Sequence, residues 1–175
     1  MIRPLILIIV ILSLSNIVTA QKGDVSVSGG PMLSLPQNDN DFPTRLSTGL
    51  GVEIMGQYNV SNRSSLVLQT NWASYGTKSA FRIDTGSFPR RTIFSFRGGY
   101  RYQFGSSGVF THILGGTERY SGTNGNNSTF ALGLGKRFVF KESYFVDAGI
   151  DCVSRTTDFM FNIKVLFGFV RSRNE

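Results

Sequence analysis

The chain has 175 residues and a formal net charge of +7, yet only 17% of its residues are charged. That fraction is low for a water-soluble surface, and no run of like charges indicates a nucleic-acid partner. Cys152 is the single cysteine, which excludes a disulfide within the chain. The composition therefore argues against an ordinary soluble protein, a nucleic-acid binder and a disulfide-stabilised domain.

Residues 1–20 differ in composition from everything that follows. Arg3 is their only charge, an apolar run covers 5–12, and Val18 and Ala20 precede Gln21. This pattern predicts a secretory signal peptide cleaved after Ala20, because a spanning helix needs ~20 apolar residues. Cleavage removes 20 of the 175 residues and leaves 155, one domain with a net charge of +6 once Arg3 is gone. We therefore expect a signal peptide at 1–20 and one domain at 21–175.

The domain is organised by apolar–polar alternation with a period of two, which is typical of β-strands. The last segment is the clearest: six apolar side chains from Phe159 to Phe169 share one face, while Asn162 and Lys164 lie on the other. An α-helix would scatter those six residues around its circumference. In chain order, the alternation predicts eight strands within 25–35, 46–58, 66–73, 94–104, 109–117, 130–140, 144–152 and 159–169, of which the fifth is the least regular.

Side-chain volume decides which face of these strands points outward. One face carries Phe, Tyr, Leu, Ile and Trp on nearly every strand, and the opposite face is mostly Gly, Ala and Ser with a few charges. An eight-stranded barrel has an interior only just wide enough for side chains, so the bulky rows would overfill it. The sequence therefore predicts an all-β fold: an eight-stranded antiparallel up-and-down transmembrane β-barrel with its small, polar face inside. A soluble periplasmic, lipocalin-like binder of apolar ligands is the alternative with the faces exchanged.

The connections between the predicted strands alternate in length. Short turns fall within 59–64, 105–108 and 141–143, and longer polar segments cover 36–45, 77–90 and 119–127. Transmembrane barrels have short periplasmic turns and long outer loops, so both termini are expected on the periplasmic side. The short connection at 154–157 departs from this pattern.

Charged residues on the small face are predicted to form a polar network that plugs the lumen. A turn centred on Glu142 places Arg137 opposite Asp147, which predicts an ion pair, and Lys164 is expected to meet Asp147 or Asp151. Paired charges can be buried at tolerable cost, whereas charges of one sign cannot. The predicted network comprises Glu53, Arg97, Arg101, Arg137, Asp147, Asp151 and Lys164.

Three residues do not follow the pattern simply. Lys136 falls on the apolar face, where its stem must extend toward an interface to avoid a cost of ~2–4 kcal/mol. Pro31 cannot donate to a ladder, so a bulge is expected in the first strand. His112 points inward near Arg101 if the turn at 106–107 has two residues, and toward lipid if it has three.

The chain resembles small outer-membrane barrels of the OmpA/OmpX type, and particularly the short "outer membrane protein β-barrel domain" proteins of Bacteroidetes. The resemblance spans the whole mature chain and depends on segments 96–102, 132–138 and 144–149, followed by an aromatic last strand. It implies a Gram-negative outer-membrane location and insertion by the barrel-assembly machinery. Members usually end close to a terminal aromatic residue, whereas here 170–175 extend past Phe169.

The sequence is compatible with two functions in the outer membrane. The first is a non-catalytic barrel, monomeric and without cofactor, acting in envelope integrity or in adhesion through its outer loops. The second is a lipid-modifying enzyme that uses His112, the only histidine; some similar barrels carry a serine two residues after such a histidine, where this chain has Leu114. Glu118 is the residue that would orient His112. A catalytic site is not predicted, because no nucleophile can be assigned.

Binding sites have little support in the sequence. One histidine, one cysteine and scattered carboxylates provide no metal-ligand cluster. Gly133 and Gly135 resemble part of a phosphate loop, but they lie inside an alternating strand, at lumen positions where small side chains are needed. A basic loop is the exception, and it predicts contact with lipopolysaccharide phosphates in addition to outer-membrane lipid. Its four cations are Lys78, Arg82, Arg90 and Arg91.

Overall fold

The protein forms eight β-strands that close into one barrel in the order β1-β2-β3-β4-β5-β6-β7-β8, all neighbours antiparallel. The computed structural model describes residues 22–37, 46–77, 90–121, 125–141, 143–155 and 159–171. Among these residues no helix is long and apolar enough to span a bilayer. The strands are β1 Val25–Gln37, β2 Leu46–Asn59, β3 Ser64–Thr77, β4 Arg91–Gln103, β5 Val109–Tyr120, β6 Asn126–Lys141, β7 Tyr144–Arg155 and β8 Phe159–Arg171.

The two ends of the barrel are distinct. Val25 at the start of β1 pairs with Arg171 at the end of β8, and we call this the terminal end. The connections after β2, β4 and β6 also lie there. The opposite, loop end carries the connections after β1, β3, β5 and β7. The predicted long connection at 119–127 is shorter than expected, because β5 and β6 remain paired as far as Arg119 and Asn126.

The predicted facing of the strands is confirmed. Phe94, Phe96 and Phe159 are each more than half exposed on the outside, and Phe161 is 38% exposed. The alternating inward side chains are buried along every strand, and they include more large apolar residues than the sequence indicated. Met32, Met55, Val67, Leu114, Val153, Met160 and Leu166 belong to this inner cluster.

The outward side chains form an apolar belt bounded by aromatic residues at both ends. On β8, Phe159 and Phe161 lie toward the loop end, Phe167 and Phe169 toward the terminal end, and aliphatic residues lie between them. The ten residue steps from Phe159 to Phe169 extend ~33 Å along the strand, or ~25 Å along the axis of a barrel whose strands tilt by ~40°. That height equals the apolar band of transmembrane barrels.

Two of the irregular positions are resolved by the geometry. Pro31 sits in β1 without a bulge: it pairs in unbroken register with Val52, and the ladder to β8 instead omits Gly30 and Pro31. The prediction of a bulge was wrong, because a proline can occupy a strand where one ladder is interrupted. Lys136 is half-buried on the outer face with its Nζ 5.3 Å from the Phe138 ring centroid, so its side chain extends toward the terminal end.

Candidate functional site

The lumen carries buried charged and amide side chains along its length, which we call the lumen network. All seven residues assigned to it from the sequence are buried, none more than 8% exposed. The structure adds five further members to these seven. The added residues are Gln57, Gln69, His112, Glu118 and Arg155.

Asp147 on β7 binds two arginines near the terminal end. Arg137 on β6 donates from Nε to Oδ1 at 2.7 Å and from Nη2 to Oδ2 at 2.8 Å. Arg101 on β4 donates from Nη1 to Oδ2 at 2.7 Å. The ion pair that the turn register predicted is therefore present, and the second arginine reaches the same carboxylate across β5 and β6.

Both arginines lie flat on lumen phenylalanines. The Arg101 guanidinium carbon is 3.4 Å from the centroid of the Phe110 ring, and that of Arg137 is 3.7 Å from the Phe145 ring. These rings fit because glycines face them on the next strand: a Cβ on Gly135 or Gly168 would collide with Phe110 or Phe145 respectively. The lumen glycines thus provide the space in which the aromatic supports of the arginines lie.

Lys164 on β8 links two carboxylates at mid-height. Its Nζ donates to Glu53 Oε1 at 2.8 Å and to Asp151 Oδ2 at 2.6 Å. Of the two partners predicted for Lys164, Asp151 is the one it meets, whereas Asp147 belongs to the arginines. Glu53 was assigned to the network, but its contact with Lys164 crosses β1, and pairing of neighbouring strands did not indicate it.

His112 on β5 points into the lumen and contacts Asp151. The pairing of Arg101 with His112 is the register expected of a two-residue turn. His112 Nε2 lies 3.0 Å from Asp151 Oδ1, and both side chains are fully buried. Glu118, the residue considered as its orienting partner, contacts other residues.

A third group closes the network toward the loop end. Glu118 Oε1 lies 2.7 Å from Arg155 Nε and accepts a hydrogen bond from the Tyr120 hydroxyl at 2.9 Å. Arg97 lies 3.9 Å from Glu118 and donates from Nη1 to Gln69 Oε1 at 3.2 Å. Gln69 in turn donates to Asp151, so Arg97 and Gln69 join the loop-end group to the middle of the lumen.

The network is nearly balanced in charge. Its described members are five cations and four carboxylates, and every carboxylate contacts at least one cation. Buried charges at such spacing are stabilised only by their partners. The arrangement is suited to holding the strands together and filling the lumen.

Glu118 and Arg155 were missing from the sequence-derived network for identifiable reasons. Glu118 belongs to β5, whose alternation is the least regular. Arg155 was assigned to a connection, whereas β7 continues to it. Continuing the inward, odd-numbered alternation of β7 from Asp147 and Asp151 to Arg155 is the signal that would have found it.

The predicted basic loop is described only in part. Lys78 and Arg82 lie outside the described residues, while Arg90 is exposed and Arg91 half-buried where β4 begins at the loop end. In the described ranges no group of three His, Cys, Asp or Glu side chains is arranged to hold a metal ion.

Solved structures with the same architecture are membrane proteins. OprG of Pseudomonas aeruginosa superposes with a TM-score of 0.66 at 10% identity, covering 90% of this chain and 100% of that one. The fold is that of the small outer-membrane β-barrels. Ail, the attachment invasion locus protein of Yersinia pestis, has a TM-score of 0.59 at 14% identity, over 86% of this chain and 100% of that one. Neisserial surface protein A superposes with a TM-score of 0.56 at 11% identity, covering 85% of this chain and 98% of that one.

No protein-family model and no curated protein matches this chain. The fold therefore identifies the architecture of the barrel, and its role has to be argued from its surfaces. The outward apolar belt contradicts the soluble, lipocalin-like alternative. The enzyme alternative required His112 at the membrane edge, and His112 is instead enclosed in the lumen.

Proposed function

We propose that this protein is a non-catalytic β-barrel of the Gram-negative outer membrane, acting in envelope integrity or in adhesion through its outer loops. The observation that carries this proposal is the closed lumen, in which inward side chains contact one another from β1 to β8. A filled barrel offers partners only its belt and its two ends. In the membrane, the terminal end would face the periplasm and the loop end the exterior.

The structural neighbours support a role at the surface. Ail is named for attachment and invasion, and a second structure of it, with a TM-score of 0.60 at 15% identity, contains the heparin analogue sucrose octasulfate. This second match covers 86% of our chain and 100% of Ail. By analogy, the loop end of the present barrel is the part we expect to contact other cells or polyanions.

We also propose contact with lipopolysaccharide at the loop end. Arg90 is exposed there, and Arg119 on β5 is an exposed cation paired with Phe94 of the aromatic boundary. Cations at this height meet the phosphates of the outer leaflet. Replacing Lys78, Arg82, Arg90 and Arg91 by glutamine should lower the lipopolysaccharide that co-purifies with the barrel. If the variant co-purifies with as much lipopolysaccharide as an Arg63→Gln control does, lipopolysaccharide is not bound by these four residues.

Cell fractionation combined with gel mobility tests location and fold together. We expect the full chain in the outer membrane, matured by the barrel-assembly machinery as a monomer, migrating faster when it is not heated before electrophoresis. Recovery in the detergent-free periplasmic fraction would refute the proposed location. To test adhesion, cells with and without the protein are compared for binding to host cells and to immobilised heparin; unchanged binding would leave envelope integrity as the role.

A further inference from the structure

A groove of about 820 Å³ crosses the outer face of the barrel from β1 to β6. Its floor is formed by three outward glycines, Gly56, Gly98 and Gly115, on β2, β4 and β5. They lie in one cross-strand row, because Leu68 pairs with both Gly56 and Gly98, and Gly98 pairs with Gly115. A Cβ on Gly56 or Gly115 would meet no atom within 4 Å, whereas a Cβ on Gly98 would lie 3.2 Å from Leu68 Cδ2. Open space therefore lies above Gly56 and Gly115, on either side of Leu68.

Apolar side chains form the walls of this groove. Tyr58, Leu66, Tyr100 and Ile113 occupy the neighbouring cross-strand row on the terminal side, and Phe130 closes the far end. The volume falls within the ~300–1,000 Å³ of ordinary ligand pockets. Since the groove lies in the apolar belt, the group that fits it is a hydrocarbon chain.

Exposed cations surround one end of the groove. This end lies at Val25 and Tyr58 on the terminal side, where Val25 pairs with Arg171. Lys22 directly precedes Gly23, whose amide bonds to the Asn59 carbonyl at the end of β2, and Arg63 lies in the turn that follows β2. Lys22, Arg63 and Arg171 are all exposed.

Surface charge in the described part of the chain has one sign. The exposed charged side chains are Lys22, Arg63, Arg90, Arg119 and Arg171. All five described carboxylates, Asp24, Glu53, Glu118, Asp147 and Asp151, are buried. The end of the groove is therefore complementary to a phosphate, with no described acidic side chain exposed beside it.

We propose that the groove binds an anionic phospholipid, with one acyl chain along Gly56, Gly98 and Gly115 and its phosphate against Lys22, Arg63 and Arg171. This inference rests on the proposed function, which places the terminal end in the periplasmic leaflet. Lipid at this site would be retained by the barrel, in contrast to the exchanging lipid around the rest of the belt.

Native mass spectrometry of the full chain in detergent tests the site, with phosphatidylglycerol and phosphatidylcholine as probes. We expect the wild type to retain phosphatidylglycerol in preference to phosphatidylcholine. Replacing both Gly56 and Gly115 by isoleucine fills the groove with residues suited to strands, and should reduce retention of both lipids at least tenfold. Ala148→Ile, on the outer face of β7, is the matched control and should retain lipid like the wild type.

Charge removal tests the phosphate contact separately. Replacing Lys22, Arg63 and Arg171 by alanine should lower the preference for phosphatidylglycerol by roughly fivefold per cation. Equal retention by the groove-filled variant and the wild type, or an unchanged preference in the triple variant, would overturn the proposal. Heat-modifiable mobility of each variant verifies its fold, and a negative result from a correctly located barrel refutes this site alone.

Discussion

His112 and Asp151 contact each other across β6 because the residue between them in the cross-strand row is Gly133. A Cβ on Gly133 would collide with the His112 ring and the Asp151 carboxylate. Because Gly133 has no side chain, side chains of β5 and β7, which are not neighbouring strands, contact each other across β6.

Gly133→Ala should therefore lower the free energy of unfolding by about 1–3 kcal/mol, because it overpacks the lumen. Gly115→Ala on the outer face of β5 is the matched control, and its effect should be neutral or stabilising by up to about 1 kcal/mol. Urea unfolding in phospholipid vesicles, followed by the fluorescence of Trp72, measures both. Similar losses in the two variants would contradict the lumen packing.

Asp147→Ala should be among the most damaging single changes, since it leaves Arg101 and Arg137 buried without their shared carboxylate. We expect a loss of about 3–5 kcal/mol. Arg137→Met should cost less, because Asp147 keeps Arg101. The same urea titration compares the two variants, and a larger loss for Arg137→Met would refute this view of the network.

Lys164→Met should leave Glu53 and Asp151 without their common cation. Because Lys164 contacts Glu53 directly, adding Glu53→Gln should restore part of the lost stability, with a coupling of about 0.5–3 kcal/mol. A double-mutant cycle on the unfolding free energies measures that coupling. Additive effects would mean that Lys164 and Glu53 do not interact.

Leu134 lies midway between Phe130 and Phe138 on the outer face of β6, whereas Phe159 lies at the loop-end edge of the belt. Relative to alanine at the same position, Leu134→Arg should cost about 2–4 kcal/mol and Phe159→Arg about 0–1 kcal/mol. Unfolding in vesicles gives both differences. Equal costs would show that the belt does not span the bilayer as inferred.

The filled lumen predicts a barrel without a permanent pore. Planar-bilayer recording of the purified full chain should detect no steady conductance, because the apolar and ion-paired side chains occlude the interior. The same preparation must show the gel mobility of a folded barrel, so that an absence of conductance reflects a closed lumen. A steady open state in a folded sample would be incompatible with this arrangement.

Period-two alternation determined the strand number, and side-chain volume determined the facing of the strands. The alternation and the turn centred on Glu142 together determined the Arg137–Asp147 pair. These features follow from local geometry: successive side chains point to opposite faces, and a tight turn sets the register of the two strands that it joins. Where a turn allowed two lengths, as before His112, the sequence left the facing open.

Only the tertiary structure decided which side chains meet across the lumen. Lys164 with Glu53, Glu118 with Arg155 and Arg101 with Asp147 each join strands that are not neighbours, so neither turn length nor alternation indicates them. Barrel closure and the positions of the lumen glycines set these distances. The outer groove has the same origin, because Gly56, Gly98 and Gly115 become one row only when three strand registers are combined.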